Sequence, residues 1–285
     1  MKRIVYNLLI ISILSVSILT VNGQSLELPL PSSPALVKQT IGLTEATINY
    51  SRPNANGRKI FGGLVPYDKV WRTGANKATS IEVSRDVKIG EKELKAGSYS
   101  IFTIPGEKEW TIIFNSNTEL WGAYSYKKEE DVLRVTSPVK TISHVETFGI
   151  AFANVKENSG KIELSWETSK VSFDLTVDDT EQAKKNIEAA VKKLETPYYT
   201  YYKAAKYYNN GGVEADKALA YAMKANEFKK DAYWVLYELG TAQNNKGMKK
   251  EAIASFEKSI ALGKDESDDS FVKKATKKLS ELKSK

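Results

Sequence analysis

From Lys161 to Leu194 the chain reads KIELSWETSKVSFDLTVDDTEQAKKNIEAAVKKL, and its rhythm changes halfway. Ile162, Leu164 and Trp166 alternate with polar residues, and so do Val171, Phe173, Leu175 and Val177. Period-two alternation predicts strands with one face in a core and the other in water. After Val177 the apolar residues fall at Ala183, Ile187, Ala190, Val191 and Leu194, the stripe of an amphipathic helix. Asp178 and Glu181 have capping-box spacing at its start. The chain therefore passes from strand to helix near residue 178.

The same alternation recurs upstream at Phe148, Ile150, Phe152 and at Trp110, Ile112, Phe114. Turn residues stand between such runs: Ala96-Gly97, Pro105-Gly106 and Asn158-Ser159-Gly160. No helical segment is evident between them, and a parallel sheet needs crossover helices. An antiparallel β-sandwich or barrel-like domain is expected over 24–178. Downstream, helices are expected from Pro197, over 214–226, 232–245, 248–262 and 267–283, with Gly263 as a cap. The fold class is thus α+β, a β-rich domain followed by a helical domain over 179–285.

Charge divides at the same place. Residues 24–178 carry 19 Lys+Arg and 19 Asp+Glu, whereas 179–285 carry 21 Lys, no Arg and 16 acids, a net of +5. The lysines fall in doublets along the helices, a pattern of solvated faces. Hydrophobic residues at 41% and charged residues at 27% are ordinary globular usage, which excludes wholesale disorder.

Lys2 and Arg3 precede an apolar run from Ile4 to Leu19 that ends at Val21-Asn22-Gly23. Charged start, apolar centre and small-residue exit describe a secretory signal over 1–23. The alternative is a retained anchor, but the polar Asn7, Ser12, Ser15 and Ser17 interrupt the run. Export to the periplasm or beyond is expected, with no membrane span after cleavage.

Cysteine is absent and histidine occurs once, at His144. Disulfides, thiol nucleophiles and thiolate or multi-His metal sites are excluded, and neither a metal nor a cofactor is expected. His144 and Glu146 share a strand face, yet an imidazole on the surface is the ordinary reading. No Walker loop, dinucleotide fingerprint or nucleophile elbow occurs. The Asp265–Asp269 run lacks the glycine and spacing of a calcium loop and reads as acid at a helix start. Nucleic acid is disfavoured as a partner, because the basic excess is arginine-poor and without a recognisable motif.

The helical half repeats itself. Leu239-Gly240, Ala252 and Phe256 have the spacing of a tetratricopeptide repeat, which this copy resembles. A second copy aligns from Tyr208 with one extra residue, and has Ala204-Ala205 where Leu-Gly would stand. The resemblance implies a concave groove lined by Tyr199, Tyr202, Lys206 and Asn209, then by Trp234, Tyr237, Thr241 and Asn244. Aromatics beside amides suit an extended peptide or a partner's loop. An irregular bundle with these tyrosines packed between helices is the competing reading.

The densest unusual stretch holds three of the six arginines: Tyr50-Ser-Arg-Pro53, Gly57-Arg-Lys-Ile-Phe-Gly62 and Val70-Trp-Arg-Thr-Gly-Ala-Asn76. With Phe102-Thr-Ile-Pro-Gly106 and Trp121-Gly-Ala-Tyr124, these words resemble the secreted bacterial family catalogued as domain of unknown function 2911, over about residues 33–177. The resemblance implies a β-rich fold in the cell envelope and no particular reaction. Physically, Arg52, Arg58 and Arg72 offer planar forks for oxyanions. Tyr67, Trp71, Trp121 and Tyr124 offer flat faces, and Asn76 a donor and an acceptor. Core packing and internal pairing of the same residues is the competing reading.

The leading functional expectation is an exported, non-catalytic interaction module whose helical groove takes a protein or peptide partner. The alternative is a glycan- or anion-binding domain, or a hydrolase, with its site in the arginine-rich loop over 50–79.

Overall fold

The structure is a computed structural model, and it describes residues 28–193 and 197–284. The expected signal over 1–23 lies outside the described residues, as does Leu194 of the helix stripe. Ten strands come first: β1 (Ser33–Ile41), β2 (Thr44–Arg52), β3 (Thr79–Val83), β4 (Val87–Ile89), β5 (Lys92–Leu94), β6 (Gly97–Ile104), β7 (Glu109–Asn115), β8 (Asp131–Pro138), β9 (Lys140–Ala153) and β10 (Ser159–Thr176). They form two antiparallel sheets, one in the order β1-β2-β3-β6-β7-β8 and one in the order β5-β4-β10-β9. The chain crosses from the first sheet to the second after β3, back after β5, and over again after β8.

One core joins the sheets. Ile48, Ile81, Ile101, Ile112 and Phe114 of the first meet Phe148, Ile162, Leu164, Trp166 and Phe173 of the second. Burial of this kind is the dominant favourable term in a chain with no disulfide. Strands β6 and β7 depart from the expected two-faced pattern. Phe102 and Ile113 point away from that core, yet each is fully buried. They pack with Ala78 and Leu120, so the loop after β7 covers the sheet's other face.

The two runs read as separate strands in 162–177 are one strand, β10. Core positions are even-numbered up to Trp166 and odd-numbered from Val171. Glu167 has φ +52°, and the pairing with β9 shifts register on both sides of it. That irregularity turns the strand and keeps both apolar sets in the core.

Six helices follow: α1 (Thr180–Lys193), α2 (Pro197–Gly211), α3 (Ala215–Phe228), α4 (Tyr233–Asn245), α5 (Lys249–Asp265) and α6 (Asp269–Lys283). No residue of α1 is fully buried, so its stripe is only partly covered. Gly263 lies inside α5 rather than capping it, and its missing Cβ leaves room for Val272, which a Cβ would meet at 3.1 Å. The acidic run does serve a helix start: the Asp268 carboxylate accepts the Phe271 N–H at 3.0 Å. Among the described residues no helix is long and apolar enough to cross a membrane.

Candidate functional site

Between β2 and β3 the chain runs from Pro53 to Ala78 without a regular strand. Short bridges pin it, Asn54 to Thr147, Trp71 to Thr103 and Lys77 to Trp121. Its aromatic residues anchor it from below. Trp71 stacks on Trp166 with centroids 5.8 Å apart, and Phe61 lies 4.6 Å from Trp110. Trp71 is thus a core residue whose indole N–H donates to Gly74 O at 3.1 Å.

The turn after Arg72 is strained. Thr73 has φ +57°, Gly74 +147° and Asn76 +60°. A buried, β-branched threonine in the left-handed region is an outlier that the surroundings must impose. Thr79 Oγ1 donates to Thr73 O at 2.5 Å, and Thr73 Oγ1 lies 3.2 Å from Thr103 Oγ1. Gly74 is required here, since a Cβ would fall 2.9 Å from Ser51 O.

A cleft of about 460 Å³ opens over this turn. Pro31, Pro53, Val65, Pro66, Trp71 and Trp166 form its apolar walls, and its charged residues are Arg58, Lys69 and Arg72. No carboxylate is among its described lining residues. Arg58 is engaged already: Nε donates to Ala55 O at 2.9 Å and Nη2 to Asn54 O at 2.7 Å. Glu146 lies near it. The Asn56 N–H at 2.8 Å and then His144 at 3.2 Å hold the Glu146 carboxyl below the usual range. Arg72 differs. Its Nε is shut from solvent without a partner, and its side chain makes no hydrogen bond or ion pair among the described residues. Lys69 is exposed and likewise unpaired.

The eight residues singled out in the β half do not form one site. Arg58, Trp71 and Arg72 meet at the cleft. Arg52 lies elsewhere and donates to Phe148 O at 3.0 Å. Asn76 turns toward Ser32 O and Ser51 Oγ, at 3.2 and 3.3 Å, and fastens the loop to the start of β1. Tyr67 packs against the core, and burial pushes its hydroxyl pKa up. Trp121 and Tyr124 stand exposed on the loop after β7, outside the cleft. Lys69, Asn54 and Trp166 also line the cleft, and their residue types alone do not mark them as part of it. Lys69 was signalled only by its place two residues before Trp71.

The helical candidates divide similarly. Tyr199, Tyr202 and Lys206 line one open depression of about 540 Å³ on α2. Asn209 is buried beneath, where Nδ2 donates to Glu238 O at 2.9 Å and to Glu238 Oε2 at 2.8 Å. Burial raises the pKa of Glu238, against the Asn209 hydrogen bond and the charges of Lys274 and Lys206. Trp234 packs with Tyr202 over Ala225, Ala232 and Val235. Tyr237 lies edge-on to Phe256 and Phe271, with Lys274 4.4 Å above its ring. Burial raises the pKa of both Tyr202 and Tyr237. Thr241 spends its hydroxyl on Tyr237 O at 2.9 Å. Asn244 lines a small recess beside Lys278 and Glu281.

Fold and site define a two-part α+β protein with a cation-lined cleft in its β part and an aromatic depression on its helices. The chain belongs to the family described as protein of unknown function (DUF2911), whose profile matches residues 32–175. Among curated proteins none matches the chain. Among solved structures it is similar to the solution structure of a Bordetella parapertussis protein, at 20% identity and a TM-score of 0.31, over 34% of this chain and 84% of that one.

Proposed function

We propose that the protein is an exported, non-catalytic binding protein whose helices hold an extended segment of a protein partner. In this reading 1–23 is a cleaved signal, 24–178 and 179–285 are two domains, and α2–α3 and α4–α5 are two tetratricopeptide-like helix pairs. One observation carries it: Tyr199, Tyr202 and Lys206 line a single open depression on α2. Tyr199 is 44% exposed and stacks on Tyr202 with centroids 6.3 Å apart, so a flat apolar face is already ordered before any partner arrives. Beneath it the Asn209–Glu238 bonds tie α2 to α4. A rigid floor under an exposed tyrosine stacked on a half-buried one suits a binding anchor.

A photo-crosslinking amino acid at position 199, in intact producing cells, tests the reading. The expected result is one discrete protein adduct, on a chain whose mature N-terminus lies near Gln24. Lys206→Ala should diminish the adduct at unchanged melting temperature. No adduct refutes the partner, and an intact Met1 refutes export by cleavage.

A further inference from the structure

We infer that the cleft above the Arg72 turn is a binding site for an oxyanion, a carboxylate or phosphate carried on a small molecule or a chain end. This site is independent of the helical face. Among the described residues the charged side chains lining the cleft are all cations, and about 460 Å³ is ample for a ligand of sugar size. Arg58 is bound to its own loop, which leaves Arg72 and Lys69 to meet a ligand. A guanidinium with a buried Nε and no partner is costly to maintain, and an internal carboxylate would ordinarily relieve it. None is among the described lining residues, and the Arg72 Nη atoms, which unlike Nε are not shut from solvent, are where an oxyanion from outside would bind. A planar fork accepts either a carboxylate or a phosphate in two-point contact.

The backbone supports the same assignment. Thr73, Gly74 and Asn76 hold left-handed conformations directly after Arg72, and Trp71 before it is locked between Trp166 and Phe148. Strain of this kind persists where the surroundings fix a side chain in place. The walls of Trp71, Trp166 and prolines suit the apolar face of a ring attached to the oxyanion. No carboxylate is among the described lining residues, so the paired acids of glycoside hydrolysis are not assembled there.

The test titrates the full chain with inorganic phosphate, glucuronate and neutral glucose, followed by calorimetry and by the Arg72 Nε–H and tryptophan indole signals in NMR. Saturable binding of phosphate, of glucuronate or of both is expected, with none for glucose; which anion binds identifies the source. Arg72→Gln should weaken binding at least tenfold. Lys69→Ala, an exposed position, should weaken it severalfold without a change in melting temperature. Should Arg72→Gln not fold, Lys69→Ala and the wild-type titrations decide. Failure of both anions to bind at millimolar concentration overturns the inference, as does undiminished binding by Lys69→Ala.

Discussion

Glu238 is the residue at which burial and charge conflict most openly. It is 5% exposed, and its pKa is raised by burial. One neighbour is also unsatisfied: Asn209 Oδ1 is buried without a partner while its Nδ2 serves Glu238. A protonated carboxyl has a donor to offer that oxygen, and a carboxylate has none. The folded state therefore holds the Glu238 proton more tightly than the unfolded chain. Its contribution to stability falls as pH rises from the ordinary carboxylate range through the raised value, and stays low above it. Glu238→Gln supplies a neutral amide with both an acceptor for Nδ2 and a donor for Oδ1. At neutral pH it should stabilise the helices by about 1 kcal/mol, the net worth of one added hydrogen bond. Below about pH 4, where the carboxyl is protonated in both states, the gain should vanish. Thermal melts of both proteins across pH 3–8, on the order of the ordinary carboxylate range and above, check the slope. Parallel curves would show that the buried charge has no such cost.

At the scale of elements, β10 depends on its turn at Glu167. Besides its φ of +52°, Glu167 sends Oε2 to the Ile60 N–H at 3.2 Å and so joins the strand to the cleft-bearing loop. A β-branched residue is poorly suited to the left-handed region and leaves Ile60 N–H unserved. Glu167→Val should cost about 2 kcal/mol in denaturant unfolding, combining backbone strain with the lost bond. Thr168→Val, exposed and one residue on, should stay within about 0.5 kcal/mol. Equal costs would remove the special role of position 167. The sequence showed the phase change between Trp166 and Val171, since alternation is a local property. It did not show one bent strand in place of two, although the absence of Gly and Pro from Glu167–Lys170 was a signal against a turn. Burial of Phe102 and Ile113 on the second face was illegible, because the covering Leu120 arrives from a separate loop. Helix positions are legible to within a few residues, since their stripes and breaks are local too. The cleft was half legible. Arg58, Lys69, Trp71 and Arg72 share one run, but Pro31 and Trp166 reach it through the packing of separate elements. Residue type alone cannot tell Arg72, left unpaired, from Arg52, spent on a backbone carbonyl.

For the whole molecule the question is whether the two parts unfold as one. Their hydrophobic clusters share no residue: the sheets close around Trp71, Phe148 and Trp166, the helices around Tyr208, Ala222 and Phe256. Between Thr176 and Thr180 only Val177, Asp178 and Asp179 intervene. Asp179 accepts the Leu43 N–H at 2.6 Å, a polar and exposed tie rather than a shared core. Cooperativity follows shared burial, so the parts should melt in two transitions under calorimetry. Phe256 and Phe148 are both fully buried, one in each core. Replacing either by alanine should cost about 3 kcal/mol through lost burial and a residual cavity. Phe256→Ala should lower only the transition that carries the helical circular dichroism signal. Phe148→Ala should lower only the one that carries the near-ultraviolet signal of the stacked tryptophans. A single transition displaced equally by both variants would show that the Asp179 tie and the short connection couple the parts into one unit.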